Sequence, residues 1–298
     1  MDWFNRSLPG AGAGRGTATN LSNSSGRWLA AESARPEAAP YLLPRDDNES
    51  RRQDFQHYVL RSALRGLFAA PLVNLTHILD VGCGTGQWGL EMASLFPQAR
   101  VTGIDLEPRD MYAQSGPRPL NYSAVRANIL EGLQFASGLF DYVHMRQMLL
   151  AIPADQWPRV IAELVRLTRP LGWIELMEEE APSGGGPALH ALIAWTRALC
   201  QSRGLDPTLV GRIGDFLREA GVREVTVRRI ELPIGGRGGR LGAMMATSFT
   251  ASMESLLPGI VTAGLATPRE AEDVRAAIPL ELNQWQCVQP FTIAFGMR

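Results

Sequence analysis

The 298-residue sequence contains no lysine, only three cysteines and only four histidines, and it has almost no charge imbalance. Each shortage excludes a class of chemistry. Without lysine there is no amine for Schiff-base catalysis; all 29 basic residues are arginine. Cys83, Cys200 and Cys287 are odd in number, widely spaced and free of any CxxC pairing, so neither a disulfide framework nor a zinc site is indicated, and a reducing cytoplasm fits. The histidines lack metal-ligand spacing, so no metal is expected. A net charge of -1 creates no field that would gather nucleic acid or anionic lipid. No apolar run approaches the roughly 18 to 20 residues needed to span a bilayer, and the N-terminal segment has no apolar signal core, so no membrane role is expected.

What is present is enough apolar material for a full-sized core, at 45% of residues. Residues 1–40 are rich in Gly, Ala, Ser, Asn and Pro and have little apolar periodicity, which predicts a flexible leader. Pro44, Asp46 and Asp47 then lead into a helix in which Phe55, Val59, Leu60, Leu64, Leu67 and Phe68 recur at helical spacing until Pro71; residues 41–72 are read as an N-terminal helical cap. From residue 73 short apolar runs alternate with amphipathic stretches. The strands are HILDV, RVTGID, YSAVRA, FDYVHM, WIELM and VTVRRI, with a last one in VQPFTIAFGMR; the helices include 86–95, 155–168, 188–203 and 208–220. Alternation of this kind predicts an α/β fold with a doubly wound, mostly parallel seven-stranded sheet and helices on both faces. Residues 235–282 break the rhythm with GGRGGR, a Met-rich helix and an acidic helix from Pro268, and are read as a helical cap over the substrate. Ordinary core packing is the plainer reading of the same Met and Phe positions.

The segment ILDVGCGTGQWGLEMASLFPQARVTGIDLEP places a glycine-rich turn after one strand and an aspartate at the end of the next. Glycine suits a backbone that must turn sharply or touch a ligand. A dinucleotide site would need G-x-G-x-x-G, but Gln87 occupies the third glycine position. The glycines are instead 82, 84 and 86, and Asp80 stands just before them. An acid there opposes a phosphate and suits the ammonium of an amino acid. Asp105 closes the second strand, where a carboxylate can accept both ribose hydroxyls. An adenosine joined to an amino acid without a pyrophosphate is S-adenosylmethionine.

On these residues the sequence resembles the class I S-adenosylmethionine-dependent methyltransferases, over roughly residues 40 to 180. The resemblance implies a Rossmann-like fold. It implies that Asp80 sits near the methionine end and that Gly82, Cys83, Gly84 and Gly86 form the backbone cradle. It further implies that Asp105 holds the ribose, Leu106 flanks the adenine, Asn128 and Ile129 meet the adenine amine, and Met145 lies beneath the methionine part. Asn128 stands where many members carry aspartate. YLLPRDDNESRRQDFQH, from Tyr41 to His57, is similar to the first helix of a bacterial and fungal secondary-metabolism subgroup. Tyr41 and Arg52 are therefore added to the cofactor set. The Arg52 guanidinium suits a methionine carboxylate, while pairing with Asp46 or Glu49 along its own helix is the alternative.

Methyl transfer is a direct SN2 displacement, so alignment and exclusion of water matter more than strong acid–base groups. His144 could deprotonate a hydroxyl or could simply cap the fourth strand; Glu178 could accept a proton or belong to a solvated acidic turn. Cys83 reads as a small turn residue, and His57 and His190 as helix-face residues. The expected activity is methylation of a small molecule of secondary metabolism. A methyltransferase-like regulator and a protein or RNA methyltransferase are the alternatives; HMRQ replaces the (Asn/Asp)-Pro-Pro-Tyr motif of amino-methylating enzymes after the fourth strand.

Overall fold

A computed structural model describes residues 42–43, 46–108 and 119–298. The expected leader, Tyr41 and Pro44 lie outside the described residues. Seven strands, β1 His77–Val81, β2 Arg100–Asp105, β3 Tyr122–Arg126, β4 Phe140–Arg146, β5 Thr168–Glu179, β6 Arg223–Ile234 and β7 Cys287–Met297, form one sheet in the order β3-β2-β1-β4-β5-β7-β6. The first five run parallel, and β7 lies antiparallel between β5 and β6. The strand order reverses between β1 and β4, which opens a crevice at their carboxyl ends, where ligands of such sheets bind.

Burial on both faces explains why β1 reads as a continuous apolar run. Side chains alternate, so Leu79 and Val81 join one core layer with β4 residues Val143 and Met145 and with helices α3 (Trp157–Leu167) and α5 (Ile213–Glu219). Ile78 faces the opposite layer with Tyr142, Phe291 and helices α1 (Asp47–Leu64) and α2 (Gln87–Leu95). A third apolar cluster lies apart from the sheet layers and joins α4 (Pro187–Ser202), α6 (Gly239–Thr262) and α7 (Pro268–Gln284).

Helix α1 begins as its sequence suggests, with Asp46 accepting from Glu49 N at 2.8 Å as N-cap. It stops at Leu64, not at Pro71. Arg65 adopts a left-handed φ of 53° as the C-cap. Beyond it, the N–H groups of Ala69 and Ala70 donate to the buried Glu175 carboxylate at 2.8–3.0 Å, bonds that a continuing helix would have used internally. Leu67 and Phe68 still pack against the core, from a loop rather than a helix. Strand β5 is longer than WIELM because β4 and β7 pair it on both sides. Helix α7 starts with a full capping box between Thr267 and Glu270 followed by Pro268, the strongest local start signal in the chain.

Candidate active site

The glycine turn lies at the tips of β1 and β2. Gly82, Gly84 and Gly86 have φ of 73°, 52° and 79°, a region that other residues enter only with strain. The N–H groups of Gly82 and Cys83 donate to Ile104 O at 2.8 and 2.9 Å, drawing the turn across the end of β2. Asp105 fixes the next step: Gly84 N donates to Oδ2 at 2.9 Å and Glu107 N to Oδ1 at 3.0 Å.

Asp80 is buried, and its Oδ1 lies 2.9 Å from His144 Nδ1. The His144 ring stacks on Trp88, with centroids 3.9 Å apart and planes 7° from parallel. Asp80 is therefore held by a ring that is itself held.

A cavity of about 540 Å³ opens over this turn and extends to α1, the end of β5, α4 and α6. Asp80, Gly82, Cys83, Gly84, Asp105 and Leu106 line one end; Asn128, Ile129, Arg52 and Glu178 also reach it. Asn128 is engaged locally: Oδ1 accepts from Leu130 N at 3.0 Å, and Nδ2 donates to Glu131 at 2.9 Å. Burial pushes the Cys83 thiol up, so it stays protonated and acts as a packing group.

Four of the expected residues have other partners in the structure. His144 is 2% exposed, is bonded to Asp80 and is not among the residues lining the cavity, which fits the alternative of a structural residue on the fourth strand better than a general base. Met145 points the other way along β4 and is buried in the α3 layer rather than under a ligand, because its parity is opposite to that of His144. Gly86 caps α2 and lies off the cavity; an added Cβ would come 2.4 Å from Tyr122 Oη. Arg52 pairs along its own helix: Nε and Nη2 form two 2.7 Å hydrogen bonds to Glu49. Its Nη1 donates to Gln56 and, across to α6, to Ser252, each at 3.1 Å.

Glu178 reaches the cavity, with its carboxylate accepting from Met148 N at 2.9 and 3.0 Å and from Leu149 N at 3.2 Å. Burial pushes this carboxyl up to about 8, against the pull of those donors.

Arg146, Gln56 and Glu179 line the cavity and are absent from the sequence-based site. Arg146, at the end of β4, donates to His57 Nδ1 at 2.9 Å. Burial lowers the pKa of His57, leaving it neutral and able to accept that bond. Gln56 of α1 donates to Glu179 at 3.2 Å, and Glu179, on the rim of β5, faces the cavity. Period-two counting along ELMEEE separates Glu179 from Glu178, a signal that was available in the sequence. Among the described residues, no helix is long and apolar enough to cross a membrane, and no group of three His, Cys, Asp or Glu is placed to hold a metal ion.

Residues 78–172 match the family model described as Methyltransferase domain. The chain is 30% identical over 253 residues to Methyltransferase pytC of Aspergillus terreus, a match covering 78% of this chain and 75% of that protein. It is 30% identical over 274 residues to N-methyltransferase tcpN of Claviceps purpurea, covering 85% and 95%. A shorter match, 30% over 141 residues and covering 46% and 36%, is to Secondary metabolism regulator laeA of Aspergillus fumisynnematus. Taken with a glycine turn and paired aspartates at the tips of β1 and β2, these likenesses establish that the chain belongs to the class I S-adenosylmethionine-dependent methyltransferases.

Proposed function

We propose that this protein methylates a small molecule of secondary metabolism, holding S-adenosylmethionine over the glycine turn and the acceptor beneath α6. The observation that carries the reading is one continuous cavity running from the Asp80–Asp105 end into an apolar sector lined by Leu192, Ile193, Phe249, Met253 and Leu256. The cradle fits such a cofactor. Gly82 and Gly84 both have positive φ, and a Cβ on either would collide with the cavity-lining side chains of Met148 and Gln53, so only glycine lets the turn lie bare against the cavity.

In this reading Asp105, oriented by the Gly84 and Glu107 N–H groups, holds the ribose. Asp80 faces the ammonium of the methionine part, Leu106 and Ile129 flank the adenine, and Asn128 stands near its amine. Arg146 joins this set as a second cation beside the turn. When bound, S-adenosylmethionine supplies a methyl group on a sulfonium, leaving a neutral sulfide. The protein contributes alignment of the acceptor and exclusion of water. The free, buried thiols of Cys200 and Cys287 suit a reducing cytoplasm.

Calorimetric titration with S-adenosylmethionine tests the first half; binding is expected, and its absence overturns the reading. Incubation with candidate metabolites should then add the mass of one methylene to an acceptor. The match to a protein named a secondary metabolism regulator supports a second reading, a weakly catalytic regulator. Turnover with an isolated metabolite decides against it.

A further inference from the structure

Three consecutive glutamates close β5, and each meets a different fate. Alternation sends Glu178 to one face, where the backbone of Met148 and Leu149 takes its carboxylate. Glu180 is held by Arg229 at 3.0 Å and by Thr292 Oγ1 at 2.7 Å. Glu179 shares the α1 face with Glu175 but extends further: Arg146, the last residue of β4, pairs with Met177, and Glu179 lies beyond it, opposite Phe291 of β7. There it receives one long, neutral hydrogen bond, from Gln56 Nε2 at 3.2 Å.

The charges around Glu179 leave a negative surplus. Arg52 of α1 is the cation facing it, and that guanidinium already donates two hydrogen bonds to Glu49; α6 contributes the neutral Ser252 hydroxyl to the same cluster. Among the described lining residues of the whole cavity there are eight carboxyl side chains and three arginines; with Glu178 held mostly protonated near neutrality and Glu180 paired to Arg229 outside the wall, six carboxyl groups still stand against three arginines, so the field favours a cation and opposes an acid. The apolar wall of α4 and α6 belongs to the same cavity.

We propose that the methyl acceptor is an amine on an apolar body, and that Glu179 binds its ammonium and takes the proton it must lose. This deepens the function proposed above and rests on it. The ammonium N–H proton passes to Glu179, which leaves the nitrogen lone pair free. That pair forms the new bond to the methyl carbon as the carbon–sulfur bond breaks and its electrons stay on sulfur. The methylated ammonium departs and Glu179 returns its proton to solvent. Burial pushes the Glu179 carboxyl up to about 7, suited to gaining and losing a proton near neutrality.

The test uses the full chain saturated with S-adenosylhomocysteine, titrated calorimetrically with tryptamine and with indole-3-propionate, probes of similar body and opposite charge. Tryptamine should bind at least about tenfold more tightly, and its affinity should rise by up to about tenfold from pH 6 to pH 8 as Glu179 ionises. E179Q should keep its affinity for S-adenosylhomocysteine while losing most of the preference and of the pH dependence; E179D should retain the preference. Equal or tighter binding of the acid by the wild-type chain, or an amine preference of undiminished size in E179Q, overturns the proposal. Failure of the wild-type chain to take up S-adenosylhomocysteine would instead overturn the cofactor reading, so the two failures are distinguishable.

Discussion

The two ends of the cavity are built by different means. At the cofactor end the wall is local: Asp80, the glycine turn and Asp105 lie within 26 residues of sequence and are fixed by short bonds to one another and to strand ends. At the acceptor end the wall is assembled from distant pieces, typified by the Arg52–Ser252 bond across 200 residues between α1 and α6. At the cofactor end of this reading the polar groups already hold one another in place through hydrogen bonds. The acceptor end is an apolar assembly of helices resting on a few polar ties.

That contrast can be broken by substitution. Asp105→Ala should have the largest effect, because it removes a ligand contact and also the acceptor for Gly84 N and Glu107 N. Affinity for S-adenosylhomocysteine should fall by about 3 kcal/mol, roughly 100-fold, in calorimetry. A loss below about tenfold would mean that the turn holds itself without Asp105.

Glu281→Ala probes the other end. The buried Glu281 carboxylate of α7 accepts from Gly186, Ala188 and Leu189 N at 2.9–3.1 Å, capping α4 from outside its own helix. Its loss should cost about 2 kcal/mol of stability in denaturant melts and leave cofactor affinity unchanged. A parallel loss of affinity would show that the two ends are one unit. The smallest effect is expected from His144→Phe, which keeps a ring against Trp88 and deletes the bond to Asp80. Cofactor binding should weaken by about 1 kcal/mol, and the pH profile of turnover should keep its shape, since no proton passes through this position.

The same contrast sets what could be read from the sequence. Each strand and its order along the chain follow from apolar runs, and the glycine turn is a contiguous word whose meaning needs no partner. The end of α1 was misread because its stop depends on Glu175, more than a hundred residues away. For His144 the two roles stay open in sequence because a histidine at a strand tip looks alike whether it faces solvent or a buried aspartate; the bond to Asp80 and the stacking on Trp88 are visible only in the fold. Arg52 illustrates an ambiguity that spacing alone could not resolve, since helical neighbours and a ligand compete for one guanidinium. The α4 segment reads as a sheet-covering helix from its pattern, yet its buried face meets α6 and α7, elements that follow it by dozens of residues.

Helices α6 and α7 both emerge from the joint between β6 and β7, whose rungs run from Arg223 opposite Met297 to Ile234 opposite Cys287. They form one long excursion that leaves β6 at Ile234 and rejoins β7 at Cys287, the two residues of the ladder's last rung. Relatives could therefore lengthen, shorten or reshape this excursion and leave the parallel strands undisturbed, so one lineage can acquire new substrates by rewriting a single stretch of gene.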